Sequence, residues 1–153
     1  MLRTPLVTAA TVLALGLPAP ADAEASSGLA RAVLREVNRA RVQHHRGRLR
    51  SHGGLARAAR NHSRAMARRG TLSHAPDWAR PLKRVTPNAR VWAENLAWVS
   101  IGSAVSVARR TVSSWLHSPP HRHNLLLPRV SLAGLGVAGG RGGAYVTADF
   151  AGR

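Results

Sequence analysis

Two stretches in the N-terminal half carry apolar residues three or four positions apart, which is the spacing of one helix face. The first stretch consists of Leu29, Val33, Leu34, Val37 and Ala40. The second consists of Leu55, Ala58, Ala59, His62, Ala65 and Met66, and Gly70 follows it as a helix terminator. These patterns predict two amphipathic helices. We interpret His62, on the apolar stripe of the second helix, as a partly buried, hydrogen-bonded histidine rather than a ligand.

A third amphipathic helix is predicted by Val105, Ala108, Val112 and Trp115, and it cannot continue undisturbed through Ser118-Pro119-Pro120. Ser118 is the expected N-cap of a short new helix, and Pro119 is its expected first residue. Because Pro120 has no N–H group, we expect the Ser118 hydroxyl to accept a hydrogen bond from the backbone of His121. This arrangement fixes His121 at a helix start, with its ring free to point into a cleft.

The C-terminal part of the chain has the clearest strand pattern. Residues 132–138 and 144–150 predict an antiparallel hairpin with a long glycine-rich turn over residues 139–143. Residues 91–98 predict a further strand rather than a short helical turn, whereas three prolines keep residues 75–88 irregular or only briefly helical. Helices followed by a hairpin indicate an α+β domain whose helices cover a sheet.

The first 23 residues have the layout of a secretory signal peptide. Arg3 precedes an apolar run, and Ala21-Asp22-Ala23 forms a small-x-small cleavage site. The alternative is a retained membrane anchor, but the apolar run is shorter than a membrane span. We therefore expect a secreted or wall-associated monomer whose mature chain begins near Glu24. In this prediction, residues 24–28 form a short linker and residues 29–153 form one domain.

The charge of the chain is strongly positive, with a formal net charge of +17 at pH 7. All cationic residues except Lys83 are arginine, a bias that a GC-rich genome also produces. Whatever its origin, such a charge attracts anionic wall polymers and lipid head groups. Specific nucleic-acid recognition is disfavoured because the few aromatic residues do not alternate with arginine. An exported chain without cysteine also indicates a bacterial protein.

A series of short motifs resembles one known family in order and spacing. The chain carries Val37-Asn38-x-x-Arg41, Leu55 through His62-Ser63 to Met66, Leu72-Ser73-His74, Ala93-Glu94-Asn95, Trp115-x-x-Ser-Pro-Pro-His-Arg-x-Asn124, Gly134-x-Gly136-Val137 and Tyr145-Val-Thr-x-Asp-Phe150. From Leu29 to Phe150 it resembles the CAP superfamily of cysteine-rich secretory, antigen 5 and pathogenesis-related proteins, in its bacterial SCP-like branch. The resemblance implies a three-layer α–β–α sandwich, with a small antiparallel sheet between helices.

The resemblance also implies a cleft with two histidines and two acidic residues, in some members with a divalent metal. His74, Glu94 and His121 match three of these positions, and Ser118 occupies the position of the second acid. We expect the two imidazoles to lie on either side of the Glu94 carboxylate. Structural roles at the site are assigned to Ser118 and to three further residues, Trp115, Asn95 and Asn124.

Two function classes follow from this set of residues. The preferred one is a non-catalytic extracellular binding module for a lipid, a small ligand or a cell-wall component. The alternative is a metal-dependent extracellular hydrolase, in which His74, Glu94 and His121 hold zinc and leave one position open. A third interpretation is purely structural, with Glu94 bridging the two histidines by hydrogen bonds. Charged residues in the loop of residues 75–88 argue against a sterol ligand.

Overall fold

The computed structural model describes residues 20–153, with side chains from residue 24 onward. It contains five helices: α1 (Pro20–Gln43), α2 (Gly53–Arg69), α3 (Ala79–Val85), α4 (Ala104–His117) and α5 (Pro119–Leu126). It contains four strands: β1 (Arg50–Ser51), β2 (Val91–Ser100), β3 (Val130–Gly140) and β4 (Gly143–Gly152). The predicted α+β class is therefore confirmed.

The four strands form one sheet in the order β1-β3-β4-β2. β4 is central and pairs antiparallel with both β3 and β2. β2 is an edge strand, and Glu94 lies directly opposite Asp149 on β4. The two-residue strand β1 pairs parallel with β3, so only the three long strands form the expected antiparallel sheet.

Helices cover both faces of the sheet because successive strand residues point to opposite sides. Alternate residues of all three long strands pack with α1, α4 and α5 in the larger core, among them Ala97, Val137 and Phe150. The intervening residues pack with α2 and α3 in two smaller clusters, which contain Leu96, Tyr145 and Ala151. This arrangement is the three-layer α–β–α sandwich predicted from the family resemblance.

The helix pattern in the sequence is confirmed at most positions, with differences at helix α1. Gly70 caps α2 in the left-handed conformation, with φ of 67°, and its N–H donates to the Met66 carbonyl. Helix α1 begins at Pro20, so residues 24–28, predicted as a linker, lie within the helix. Residues 1–19, which hold most of the predicted signal peptide, lie outside the described residues. None of the described helices combines the length and the hydropathy that a membrane span requires.

The β3–β4 hairpin corrects the prediction of a long glycine-rich turn. Gly139, Gly140 and Gly143 continue the strand ladder, and only Arg141 and Gly142 form the turn. Gly142 has φ of 67°, which favours glycine in a tight turn. The turn was predicted too long because glycine is typical of turns. Here two of the glycines lie within the strands, where large aromatic side chains fill the space that their own side chains would occupy. A Cβ on Gly140 or Gly143 would lie 2.6 Å from a ring atom of Tyr145 or Trp98.

Candidate functional site

Glu94 is the centre of the site predicted from sequence. It is buried in strand β2, with its side chain on the sheet face that packs against α2. Its Oε2 accepts a hydrogen bond from Nδ1 of His62 at 2.7 Å, and its Oε1 accepts one from Nδ1 of His74 at 2.6 Å. The carboxylate therefore joins helix α2 to the loop that follows it.

His62 contacts two groups that can only accept hydrogen bonds. Besides its bond to Glu94, its Nε2 lies 3.0 Å from the backbone carbonyl oxygen of Ser73. Both ring nitrogens must then carry a proton, which makes His62 an imidazolium cation. In agreement, the pKa of His62 is raised, first by the hydrogen bond to Glu94 and, more weakly, by its charge, although burial opposes the shift. The interpretation of His62 as a hydrogen-bonded, partly buried residue agrees with this geometry.

The raised pKa of His62 predicts how stability depends on pH. Protonation of His62 stabilises the folded state fully below its unfolded pKa of about 6.5, and this contribution is lost as pH rises through the folded pKa. We expect the stability difference between the wild type and His62→Gln to be largest in mild acid and to shrink at alkaline pH. Urea unfolding of both proteins over a pH series measures this difference; a difference that grows with pH would contradict the prediction.

Asp149 supplies a second carboxyl group that the sequence reasoning did not place here. It lies opposite Glu94 in the strand pairing and is 1 % exposed. Burial raises its pKa well above the ordinary value, and the adjacent charge of Glu94 adds to the shift, which favours the neutral acid. Its Oδ1 has no hydrogen-bond partner among the described residues. The alternation of Tyr145, Thr147 and Asp149 was visible in the sequence, but the pairing of β4 with β2 was not.

His121 lies on α5, and its backbone carbonyl contacts the part of β2 that carries Glu94. Among the described residues, no hydrogen bond joins its ring to Glu94, and His62 is the second imidazole on that carboxylate. The reason is that α5 packs on the opposite sheet face from α2, held by the amide of Asn95. The pKa of the His121 ring is lowered, first by burial and then by the charge of His74.

Three of the four residues assigned structural roles connect α4 and α5 to strand β2: Asn95, Trp115 and Asn124. Asn95 donates to the His121 carbonyl at 2.8 Å, and Asn124 donates to the Asn95 side chain and the Glu94 carbonyl. The buried indole of Trp115 donates to the carbonyl of Leu96 at 2.8 Å. These backbone contacts hold the part of β2 that carries Glu94.

Ser118 is the N-cap residue of α5, and Pro119 begins the helix as predicted, but the predicted side-chain cap is wrong. The Ser118 hydroxyl makes no capping hydrogen bond. Because Pro119 and Pro120 have no N–H group, the hydroxyl could cap the first turn only by accepting from the N–H of His121, and this hydrogen bond is not formed. The Ser118 backbone carbonyl instead accepts from the N–H of Arg122 at 2.8 Å.

The donor set does not fit the three-ligand zinc site expected from sequence. Both oxygens of Glu94 and both ring nitrogens of His62 are engaged in hydrogen bonds. His74 keeps a free Nε2, and His121 adds a second imidazole, which is one ligand fewer than catalytic zinc sites use. Among the residues with described side chains, no group of three histidines or acids is arranged to hold a metal ion.

A cavity of about 450 Å³ adjoins the carboxyl pair on the α2 side of the sheet. Its walls come from α2, α3 and the loop between them, and are largely apolar, with Ala58, Ala65, Pro76, Trp78, Pro81 and Leu82. His62, Glu94 and Asp149 also line it, and Arg69 and Asp77 contribute charged groups. The chain thus combines an apolar cavity with a buried polar network.

Comparison with solved structures supports the fold independently. An extracellular protein with an SCP domain from Bacillus anthracis is 24% identical, with a TM-score of 0.72 over 90% of this chain and 45% of that one. For a cysteine-rich secretory protein from Staphylococcus aureus, the identity is 20% and the TM-score 0.67, over 85% of this chain and 40% of that one. This chain therefore spans less than half the length of these two proteins.

A third structure, NaASP2 with Zn²⁺, is 13% identical, with a TM-score of 0.62 over 88% of this chain and 83% of that one. No curated protein sequence matches the chain. The model of the cysteine-rich secretory protein family, CAP, matches residues 34–150. That match includes the Glu94 site, strands β1, β2 and β3, and strand β4 as far as Phe150. Because this match covers more than half of the chain, the chain belongs to the cysteine-rich secretory protein family, CAP.

Proposed function

We propose that this chain is an extracellular binding module that holds a small ligand, without chemistry, in the cavity beside Glu94. The observation that carries the proposal is the cavity itself, because its volume of about 450 Å³ falls within the range of small-molecule sites. Apolar walls that lead to a few polar groups are also typical of such sites. Export is part of the proposal, supported by the signal-peptide pattern of residues 1–23.

The hydrogen-bond network supports binding over catalysis. A general base needs an available lone pair near the substrate. Both Glu94 oxygens already accept from imidazoles, and both His62 nitrogens already donate. Asp149 is buried in a setting that favours its protonated form. Glu94, His62 and Asp149 are therefore suited to hold a fixed geometry rather than to move protons, whereas His74 keeps a free Nε2.

The cavity also indicates what kind of ligand it takes. Asn61 and Asp77 line the cavity with side-chain oxygens that can accept a hydrogen bond from a ligand hydroxyl, while the apolar walls bury a hydrocarbon body. A cationic ligand is disfavoured by Arg69 at the cavity and by the net charge of +17. We therefore propose a neutral, largely apolar ligand with a hydroxyl group.

Titration with 1-octanol, followed by tryptophan fluorescence, tests this proposal because Trp78 lines the cavity. We expect a saturable change in the wild type and a loss of binding of about tenfold or more in Ala65→Leu, whose added side chain fills the cavity. Arg64→Leu is the matched control, since it adds the same side chain at the neighbouring, exposed position of α2. Equal binding by Ala65→Leu and the wild type would overturn the proposal.

A metal-dependent hydrolase remains the second candidate, favoured by one feature of His74. Its Nδ1 donates to Glu94, which leaves Nε2 free on a side chain that is 49% exposed. A histidine oriented by a carboxylate in this way is common among metal ligands, and NaASP2 was solved with zinc. Calorimetric titration with zinc separates the two candidates. The binding module predicts no stoichiometric binding, whereas stoichiometric binding that His74→Gln removes would favour the hydrolase.

A further inference from the structure

A second concave surface lies at the C-terminal end of α2, beside the edge strand β2. It encloses about 500 Å³ and includes Arg68, Arg69, Leu72, Trp98, Arg141 and Tyr145. We call this surface the Trp98 cleft. It is separate from the hydrogen bonds around Glu94, although Arg69 also lines the cavity beside Glu94.

The fold assembles this cleft from four separate parts of the chain. Arg68 and Arg69 are the last two residues of α2, and Arg141 lies in the two-residue β3–β4 turn. Trp98 on β2 lies opposite Tyr145 on β4. Because Gly140 and Gly143 lack side chains, the rings of Tyr145 and Trp98 can lie across them. The same glycines that extend the hairpin thereby shape the cleft.

The cleft concentrates positive charge without an internal counter-charge. In the part of the chain with described side chains, no salt bridge involves Arg68, Arg69 or Arg141, and no acidic residue lines the cleft. Guanidinium groups form paired, charge-assisted hydrogen bonds with carboxylates and phosphates. Three of them on one concave surface favour a ligand with several anionic groups.

The cleft also exposes apolar surface next to these arginines. Trp98 is 45% exposed and Leu72 is 46% exposed, so the cleft presents two large apolar side chains to solvent beside the arginines. A flat indole face can pack against the C–H face of a sugar ring, and the concave shape fits a chain of such rings better than a flat lipid surface.

We propose that the Trp98 cleft binds an acidic polysaccharide, with one of its sugar rings packed on Trp98. The carboxylates of the polysaccharide pair with Arg68, Arg69 and Arg141. This inference goes beyond the ligand cavity at Glu94, because it concerns another surface and another class of ligand. It gives the domain a local anchor on an anionic glycan, in addition to the attraction exerted by its overall charge.

The test is calorimetric binding of oligogalacturonate at moderate salt, where the general field is screened. We expect Trp98→Ala to weaken binding about tenfold or more because it removes the ring on which the sugar packs, an effect comparable to loss of one stacked ring. We expect the same loss in the double variant Arg68→Gln/Arg141→Gln, because it removes charge-assisted contacts. The matched control is Arg31→Gln/Arg35→Gln, which removes the same charge from exposed positions of α1 across the sheet. We expect this control to change affinity by less than about threefold.

Ligand comparisons complete the test. Neutral dextran should not bind, and polyphosphate, which has charge but no rings, should bind with an affinity that Trp98→Ala leaves unchanged.

Leu72→Ala provides a milder variant if Trp98→Ala loosens the fold. Equal losses in the cleft and control double variants would overturn the proposal, as would unaltered binding by both Trp98→Ala and Leu72→Ala. Tighter binding to phosphatidylglycerol vesicles than to oligogalacturonate would also overturn it. The 1-octanol titration should be unchanged in Arg68→Gln/Arg141→Gln, so the two proposals can fail separately.

Discussion

Replacing Gly136 with alanine should destabilise the protein by about 3 kcal/mol or more, the upper range for overpacking a core. Gly136 lies on β3 where helix α2 crosses the sheet, and an added Cβ would overlap the backbone of Ala59 and Arg60. Backbone atoms cannot move aside by changing a rotamer, so the helix must shift as a unit. That shift would also strain the hydrogen bond from the Ser63 hydroxyl to the Gly136 carbonyl, which measures 3.0 Å.

Gly139→Ala is the matched control for this prediction. Gly139 lies on the same strand, but no heavy atom outside its immediate chain neighbours lies within 4 Å of the position of its added Cβ. We expect its urea midpoint to remain near that of the wild type, because alanine restricts the unfolded chain and clashes with nothing. If both variants unfolded at the wild-type midpoint, the close approach of α2 to β3 would be wrong.

The same substitution should disturb the site, because α2 also carries His62. A displaced helix moves His62 away from Glu94 and removes the hydrogen bond that chiefly raises the pKa of His62. NMR titration of the histidine rings in Gly136→Ala should therefore show the pKa of His62 returning towards its ordinary value. An unchanged titration in a destabilised variant would mean that the strain is absorbed elsewhere.

Arg41→Met should destabilise the fold by about 4 kcal/mol, since several buried carbonyl groups lose their partner at a cost of about 1–3 kcal/mol each, not fully additive. Arg41 is 1% exposed, and its guanidinium donates to the carbonyls of Gly47, Leu125, Leu127 and Val130. It thereby joins α1 to α5 and to the start of β3. Burial is the main cause that lowers the pKa of Arg41 from its ordinary value.

Arg39→Met is the control, because it makes the same change two residues away on the same helix. Arg39 is 59% exposed, and its one salt bridge among the residues with described side chains is a 3.6 Å contact with Glu36. Such surface pairs contribute less than about 1 kcal/mol. Arg41→Lys should not restore stability, since one ammonium group cannot reach carbonyls spread along two elements. Urea unfolding measures all three variants, and a small loss in Arg41→Met would show that water replaces the guanidinium.

Local patterns in the sequence were sufficient for four of the five described helices and for the three long strands. Apolar periodicity identified α2 and α4, Gly70 marked the end of α2, and Pro119 marked the start of α5, because these signals depend on neighbouring residues alone. The hairpin turn and the Ser118 cap were wrong for a shared reason. Tertiary packing decides whether a glycine forms a turn and whether a hydroxyl accepts a hydrogen bond. For the glycines, the deciding contacts are those with the rings of Trp98 and Tyr145.

The sequence by itself determined that Glu94 and His74 belong to one site, through motifs that resemble a family. Only the tertiary structure decided which groups complete it. Strand pairing brought Asp149 opposite Glu94, and the packing of α2 on the sheet brought His62 to its second oxygen. Both residues are distant from Glu94 along the chain, and neither has a local signal that specifies its partner. A sheet and a crossing helix select those contacts because burial leaves each polar side chain few other partners.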